Sequence, residues 1–235
     1  MSILFYFLLC ITPTFSLSVQ NRIDFYFTFF YNIPIFSRLQ PMFFILFRLF
    51  YWKRFQVLYC HKRQKGLSKS MKQLHKINQF LELDSGSIHY TFLPSGDVFT
   101  IQQEHFLINQ FRGNQMHGSA NNLYLRIYKE GGIHVYPMLG ILSDSILSYN
   151  EHVLVFSGSI EGISYKVTFC PSGDAWFWNV ALEGSCPQEL DVVYGQDLGV
   201  AEDGGVYANE LYMSQYLGHS ILEGAFGTVV CSRQN

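Results

Sequence analysis

Two stretches of this 235-residue sequence concentrate the side chains that chemistry needs. The first runs Asn109-Gln-Phe-Arg-Gly-Asn114 and continues as His117-Gly-Ser-Ala-Asn-Asn122, gathering amides, an arginine, a histidine and glycines between apolar runs. Amides and a guanidinium hold donors and acceptors in fixed geometry, which suits sugar hydroxyls. The same asparagines equally suit turns and helix caps. Arg112 stands out because only five bases follow Leu81. Glu104, Asp97 or another acid could pair with it for structure, a surface pair being worth about 0–1 kcal/mol. The second stretch, Asp191-Val-Val-Tyr-Gly-Gln-Asp-Leu-Gly-Val200, runs into Glu202-Asp203 and later Glu210. Asp197 and Glu210 invite a reading as paired carboxylates for glycoside hydrolysis. A thirteen-residue separation carries no spacing code, however, and loop acids are usually solvated or structural. The candidate site is therefore Arg112, Asn114, Asn121, Asn122 and Asp197, with no catalytic residue and no metal ligand assigned.

Several chemistries lack support. The sequence holds no Gly-x-Ser-x-Gly elbow, no glycine-rich phosphate loop and no dinucleotide fingerprint. Its eight histidines are scattered, and its five cysteines (Cys10, Cys60, Cys170, Cys186, Cys231) are odd in number, widely spaced and without a Cys-x-x-Cys. Neither a disulfide framework nor a zinc site is expected, and a reducing compartment fits. From Leu81 onward seventeen acids face five bases, a formal charge of −12 that opposes nucleic-acid binding.

The elements positioning these clusters are short strands. Ser87–Phe92 and Val98–Gln102 flank the turn Pro94-Ser-Gly-Asp97, a hairpin. Tyr124–Tyr128 and Ile133–Tyr136 flank Lys129-Glu-Gly-Gly132, a second hairpin whose glycines supply positive φ. Val153–Ser157, Ser164–Cys170 and Trp176–Leu182 continue the series, with Pro171-Ser-Gly-Asp174 between the last two. This spacing of strands and turns predicts an all-β sandwich. Phe92-Leu-Pro-Ser-Gly-Asp97 and Phe169-Cys-Pro-Ser-Gly-Asp174 are nearly the same hexapeptide, either a reused turn or a duplicated half-domain. The one helix-like stretch is Asn209–Tyr216.

Residues 1–79 differ in kind from the domain expected over 80–235. Up to Phe80, eleven bases face Asp24 alone, a charge of +10, and positions 1–60 hold thirteen Phe, five Tyr and Trp52. Such asymmetry marks different origins or environments. Ile3–Ile11 resembles a signal-peptide core without a preceding positive charge, and Pro41–Trp52 is too short to span a membrane. Tyr26–Tyr31 could pass for a strand, yet no sustained period appears. Three readings compete: translation upstream of a true start near Met71, a leader or anchor, or a basic membrane-surface segment. The first is favoured, because Met71-Lys-Gln-Leu-His-Lys opens directly onto the patterned region.

Several spaced motifs together carry a resemblance. They are Ile108-Asn-Gln-Phe-Arg-Gly-Asn114, Gly118-Ser-Ala-Asn-Asn-Leu-Tyr-Leu-Arg-Ile127, Tyr136-Pro-Met-Leu-Gly140, Gly162-Ile-Ser-Tyr-Lys-Val167, Trp176-Phe-Trp178, Tyr194-Gly-Gln-Asp-Leu-Gly199 and Asn209-Glu-Leu-Tyr-Met-Ser-Gln-Tyr216. In this order they resemble the N-terminal region of the glycoside hydrolase family 94 phosphorylases, the cellobiose phosphorylase-like enzymes, nearest to the β-1,2-oligoglucan group. The resemblance implies a galactose-mutarotase-like β-sandwich, here incomplete at its C-terminal end, which in the full-length family packs against an (α/α)6 barrel in a homodimer. It also implies an inverting phosphorolysis in which inorganic phosphate is the co-substrate and a barrel aspartate the general acid. No other cofactor is implied. On this reading the chain is an inactive, cytoplasmic fragment whose candidate residues contact a β-glucan or the missing barrel. A stand-alone sugar-binding module is the alternative, and a membrane-anchored or exported protein led by residues 1–18 comes third.

Overall fold

The computed structural model describes residues 4–7, 12–14, 22–30, 72–73, 79–184, 186, 188–209, 212–213, 215–222 and 228–233. Eighteen strands and one short helix are formed there. The strands are β1 (Leu4–Phe7), β2 (Thr12–Thr14), β3 (Arg22–Phe30), β4 (Lys72–Gln73), β5 (Leu81–Ser85), β6 (Ile88–Phe92), β7 (Val98–Gln103), β8 (Phe106–Leu107), β9 (Asn122–Lys129) and β10 (Gly132–Pro137). They continue as β11 (Ile146–Tyr149), β12 (Leu154–Ile160), β13 (Ile163–Pro171), β14 (Ala175–Glu183), β15 (Leu190–Gly195), β16 (Ala201–Glu202), β17 (Leu217–Leu222) and β18 (Thr228–Arg233). Helix α1 spans Asp203–Ala208.

The fold is all-β and its pairings are antiparallel. Four sheets form, in the orders β2-β3-β14-β13-β12-β11-β4, β16-β8-β7-β6-β5, β10-β9-β15 and β1-β18-β17. All three expected turns join neighbouring antiparallel strands: β6 to β7, β9 to β10 and β13 to β14. Alternation decides which face is inside. In β9, Leu123, Leu125 and Ile127 are buried while Tyr124, Arg126 and Tyr128 are not. In the first half of β13, Ile163, Tyr165 and Val167 are buried between exposed Ser164 and Lys166. In β10 Ile133, His134 and Val135 are all exposed, as befits the edge of its sheet.

The seven-stranded and five-stranded sheets meet over an aromatic core, a sandwich-like arrangement. Phe169 of β13 lies edge-on to Tyr90 and Phe92 of β6, with ring centroids 5.2 and 5.0 Å apart, and 4.8 Å from Trp178 of β14. The Tyr90 hydroxyl donates to the Ala175 carbonyl at 3.3 Å, and burial pushes its pKa well up. Phe92 and Phe169 each open one copy of the repeated hexapeptide, so the two hairpins touch at equivalent residues. Their registers differ. Phe92 pairs with Val98 across a loop that includes Pro94, whereas Pro171 is still within β13 and pairs with Trp176.

Two elements depart from expectation. The only complete helix among the described residues lies a turn before the predicted stretch. It carries Gly204 and Gly205 and buries Val206. Within Asn209–Tyr216, Tyr212 and Met213 are helical, while Glu210, Leu211 and Ser214 lie outside the described residues. Secondly, β3 overlaps Tyr26–Tyr31 and runs beside β14 for nine residues, with Phe25 opposite Val180 and Phe29 opposite Trp176. Backbone pairing needs no side-chain period, so a period search passes over such a strand. Most of the signal-like run Ile3–Ile11, and all of Pro41–Trp52, lie outside the described residues.

Candidate functional site

The two clusters singled out in the sequence come together. Asp197, after β15, accepts the backbone N–H groups of Gln110 at 3.0 Å and Phe111 at 2.6 Å through one carboxylate oxygen. Its own N–H donates to the Asn121 side-chain oxygen at 2.8 Å. Burial pushes the Asp197 carboxyl up, and the hydrogen bonds from Phe111, Asn121 and Gln110 pull it back. Asn109 completes this framework: its side-chain oxygen accepts Ile101 N–H at 2.7 Å, and its amide donates to the Phe99 and Phe111 carbonyls at 3.1 and 2.8 Å. Asn122, buried at the start of β9, donates to the Leu139 carbonyl at 3.1 Å. Glu210 lies outside the described residues.

Asp97 organises the adjoining loops. It is 2% exposed and accepts from Ser95 Oγ at 2.6 Å, Ser119 N–H at 3.1 Å and Ile141 N–H at 2.8 Å. One carboxylate thus ties the β6–β7 turn to the loops before and after the β9–β10 hairpin. Gly118 and Gly140 are required here, since both have positive φ and a Cβ on either would strike the Asp97 carboxylate. The other copy's Asp174 accepts Ser87 N–H and Oγ at 2.7 and 2.8 Å in an exposed setting.

Arg112 and Asn114 differ from the framework residues. Arg112 pairs with Asp203 of α1, not with Glu104 or Asp97, and its guanidinium lies 5.8 Å from the centroid of Phe99. Asn114 is exposed and caps its own turn, accepting Met116 and His117 N–H groups at 2.9 and 2.8 Å. Asn121, Asn122 and Asp197 hold loops, whereas Arg112 and Asn114 face outward from them. Phe99 and Phe80 escaped the sequence reading. No local signal marks Phe99, since strict alternation puts it in phase with the buried Ile101; a register shift that leaves Phe99 without a partner on β6 sets it apart.

Charge pairs lace the β9–β10–β15 sheet. Arg126 grips Asp191 through Nε and Nη2 at 2.7 and 2.5 Å, and Tyr128 donates to the same carboxylate at 3.0 Å. Lys129 and Tyr136 both donate to Glu161. The Arg126 hydrogen bond, opposed by desolvation and aided by Tyr128, holds the Asp191 carboxyl below its ordinary range. A depressed folded-state pKa contributes stability that is present above the unfolded value, about pH 4, and lost as pH falls through the folded value. Urea midpoints for Arg126→Gln should therefore fall below those of the parent near neutral pH and converge on them as the medium is acidified. A constant gap across the acid limb would count against this pairing.

Among the described residues Cys170, Cys186 and Cys231 are in no disulfide, and burial pushes Cys231 up to about 11 beside His219 Nδ1, 2.9 Å away. No cluster of three or more His, Cys, Asp or Glu suited to a metal ion occurs among them, and none of their helices is long and apolar enough to cross a membrane.

Antiparallel sheets in a sandwich-like arrangement, with loops joined through the Asp97 and Asp197 carboxylates, define an all-β domain. Residues 91–235 match the SOGP N-terminal domain, and the chain belongs to that family. It is also similar to the 1,2-beta-oligoglucan phosphorylase of Listeria innocua serovar 6a, with 32% identity over 154 residues. That match covers 66% of this chain and 14% of the relative, so the chain spans about a seventh of the relative's length.

Proposed function

We propose that the chain serves as the front β domain of an inverting phosphorylase that splits β-linked gluco-oligosaccharides with inorganic phosphate and releases α-glucose 1-phosphate. The observation that carries this reading is the family match across residues 91–235, reinforced by the oligoglucan phosphorylase relative. The geometry supports it, because residues of the resemblance motifs are those that lock the loops: Asn109, Gly118, Asn121, Gly140 and Asp197 hold one another's neighbours. The general acid and the phosphate pocket belong to an (α/α)6 barrel outside these residues, in an enzyme that works as a homodimer. Arg112 and Asn114, presented by the locked loops, are contacts for glucan or barrel. Buried cysteines outside any disulfide suit the reducing cytoplasm. A stand-alone sugar-binding module is the second reading, favoured by the loops' outward-facing Arg112.

A chimera tests the proposal. This chain replaces the corresponding front segment of the Listeria enzyme, and phosphate-dependent release of glucose 1-phosphate from β-1,2-gluco-oligosaccharides is measured. Turnover within about tenfold of the parent, on the order of 1.4 kcal/mol in barrier, is expected. A folded chimera without turnover would sink the proposal.

A further inference from the structure

Phe99 projects from β7 away from the core, and its ring centroid lies 4.8 Å from that of Phe80 at an interplanar angle of 38°. The Arg112 guanidinium lies 5.8 Å from the same ring centroid and is joined in turn to the Asp203 carboxylate. Tyr207, four residues after Asp203 on α1, rises on the same helical face. Ring, ring, guanidinium and carboxylate thus follow one another, and helical spacing sets the Tyr207 ring on the Asp203 side of the row. Phe80 is 50% exposed and Tyr207 82%, while the side chains of Arg112 and Asp203 are 34% and 37% exposed. Among the described residues Asp203 is the one hydrogen-bond partner of Arg112; its Nε is buried, so the donors left for a ligand are the remaining N–H groups of the two terminal nitrogens.

A β-glucose ring has matching chemistry. Its axial C–H bonds make two apolar faces that lie flat on aromatic rings, and its equatorial hydroxyls form a polar rim that suits a guanidinium fork and a carboxylate. A polyanion would meet the formal charge of −12 carried by residues 81–235, whereas a neutral glucan would not. A protein partner is less well served, since the ion pair at the centre of the row would have to be desolvated.

We propose that Phe80, Phe99, Arg112, Asp203 and Tyr207 form a surface platform for a β-linked gluco-oligosaccharide. This rests on the phosphorylase reading for the choice of glucan. The platform gathers oligosaccharide on the domain's surface.

The test uses the whole 235-residue chain, titrated calorimetrically with linear β-1,2-gluco-oligosaccharides and with β-1,3 and β-1,4 oligomers for comparison. Phe80→Ala and Tyr207→Ala alter exposed rings, so the near-ultraviolet circular dichroism and melting temperature should stay at parental values. Each should weaken binding about tenfold, on the order of 1.4 kcal/mol. Arg112→Lys, which keeps the charge and loses the fork, should weaken it as well. In the chimera the same variants should raise KM for the oligosaccharide with kcat held.

Absence of binding by the folded chain, or affinity unchanged in both ring variants, overturns the platform. So does a loss of chimera assembly with glucan affinity intact, which makes the row a seat for the barrel. The two readings fail separately. An active chimera with no binding at the row removes the platform alone, and an inactive chimera with ring-dependent glucan binding removes the phosphorylase reading alone.

Discussion

Asp97→Ala should cost about 3–5 kcal/mol, enough to take a domain of ordinary stability to the edge of unfolding. Removing the carboxylate strands two backbone N–H groups, Ser119 and Ile141, in a place where Asp97 itself is 2% exposed. Each buried donor left without a partner costs roughly 1–3 kcal/mol, and the lost bonds were charge-assisted. Asp97→Asn should fall between alanine and the parent, since one amide oxygen can replace only part of the acceptor set. The matched residue of the other hexapeptide provides the control. Asp174 makes the same kind of bonds in an exposed setting, where water replaces what is lost. Asp174→Ala should cost on the order of 1 kcal/mol. Equal urea midpoints for the two alanine variants would refute the role given to Asp97.

Phe169→Ala should be comparably severe, about 3–5 kcal/mol. The ring is fully buried and touches Tyr90, Phe92 and Trp178, so truncation opens a void between the two large sheets and removes several edge-on contacts at once. Phe169→Leu keeps much of the volume and should cost roughly 1.5 kcal/mol. The same urea titrations read both. A leucine variant as damaged as the alanine variant would mean that ring geometry rather than filled volume sets the stability here.

The sandwich was legible in the sequence because its strands obey local rules. Turn residues mark the three hairpins, and alternation in β9 and β13 marks the faces. Strands built from two residues, such as β8 and β16, carry no period at all, and β15 was hidden within a run noticed for its acids. The candidate site was legible as composition and illegible as function. Asn121 and Asp197 were singled out as contacts for sugar or barrel, and only coordinates show that they hold each other and the backbone of Gln110 and Phe111. Nothing in the spacing of Arg112 and Asp203, 91 residues apart, announces their pairing. Asp97 drew notice only as a turn former and as a partner for Arg112. Its larger task, clamping two glycine loops, depends on long-range packing that no local pattern encodes.

The bond from Asp197 to Gln110 closes a loop of 87 residues. On a ribosome adding roughly 5–20 residues each second, the Arg112 loop leaves the tunnel some 4–17 s before its anchor exists. Through that interval the backbone donors of Gln110 and Phe111 lack the Asp197 acceptor, and the local bonds of Asn109 to Ile101, Phe99 and Phe111 are the part of the framework that can already form. The order of synthesis thus makes the outward face of this domain one of the last parts to set, after the hairpins that support it.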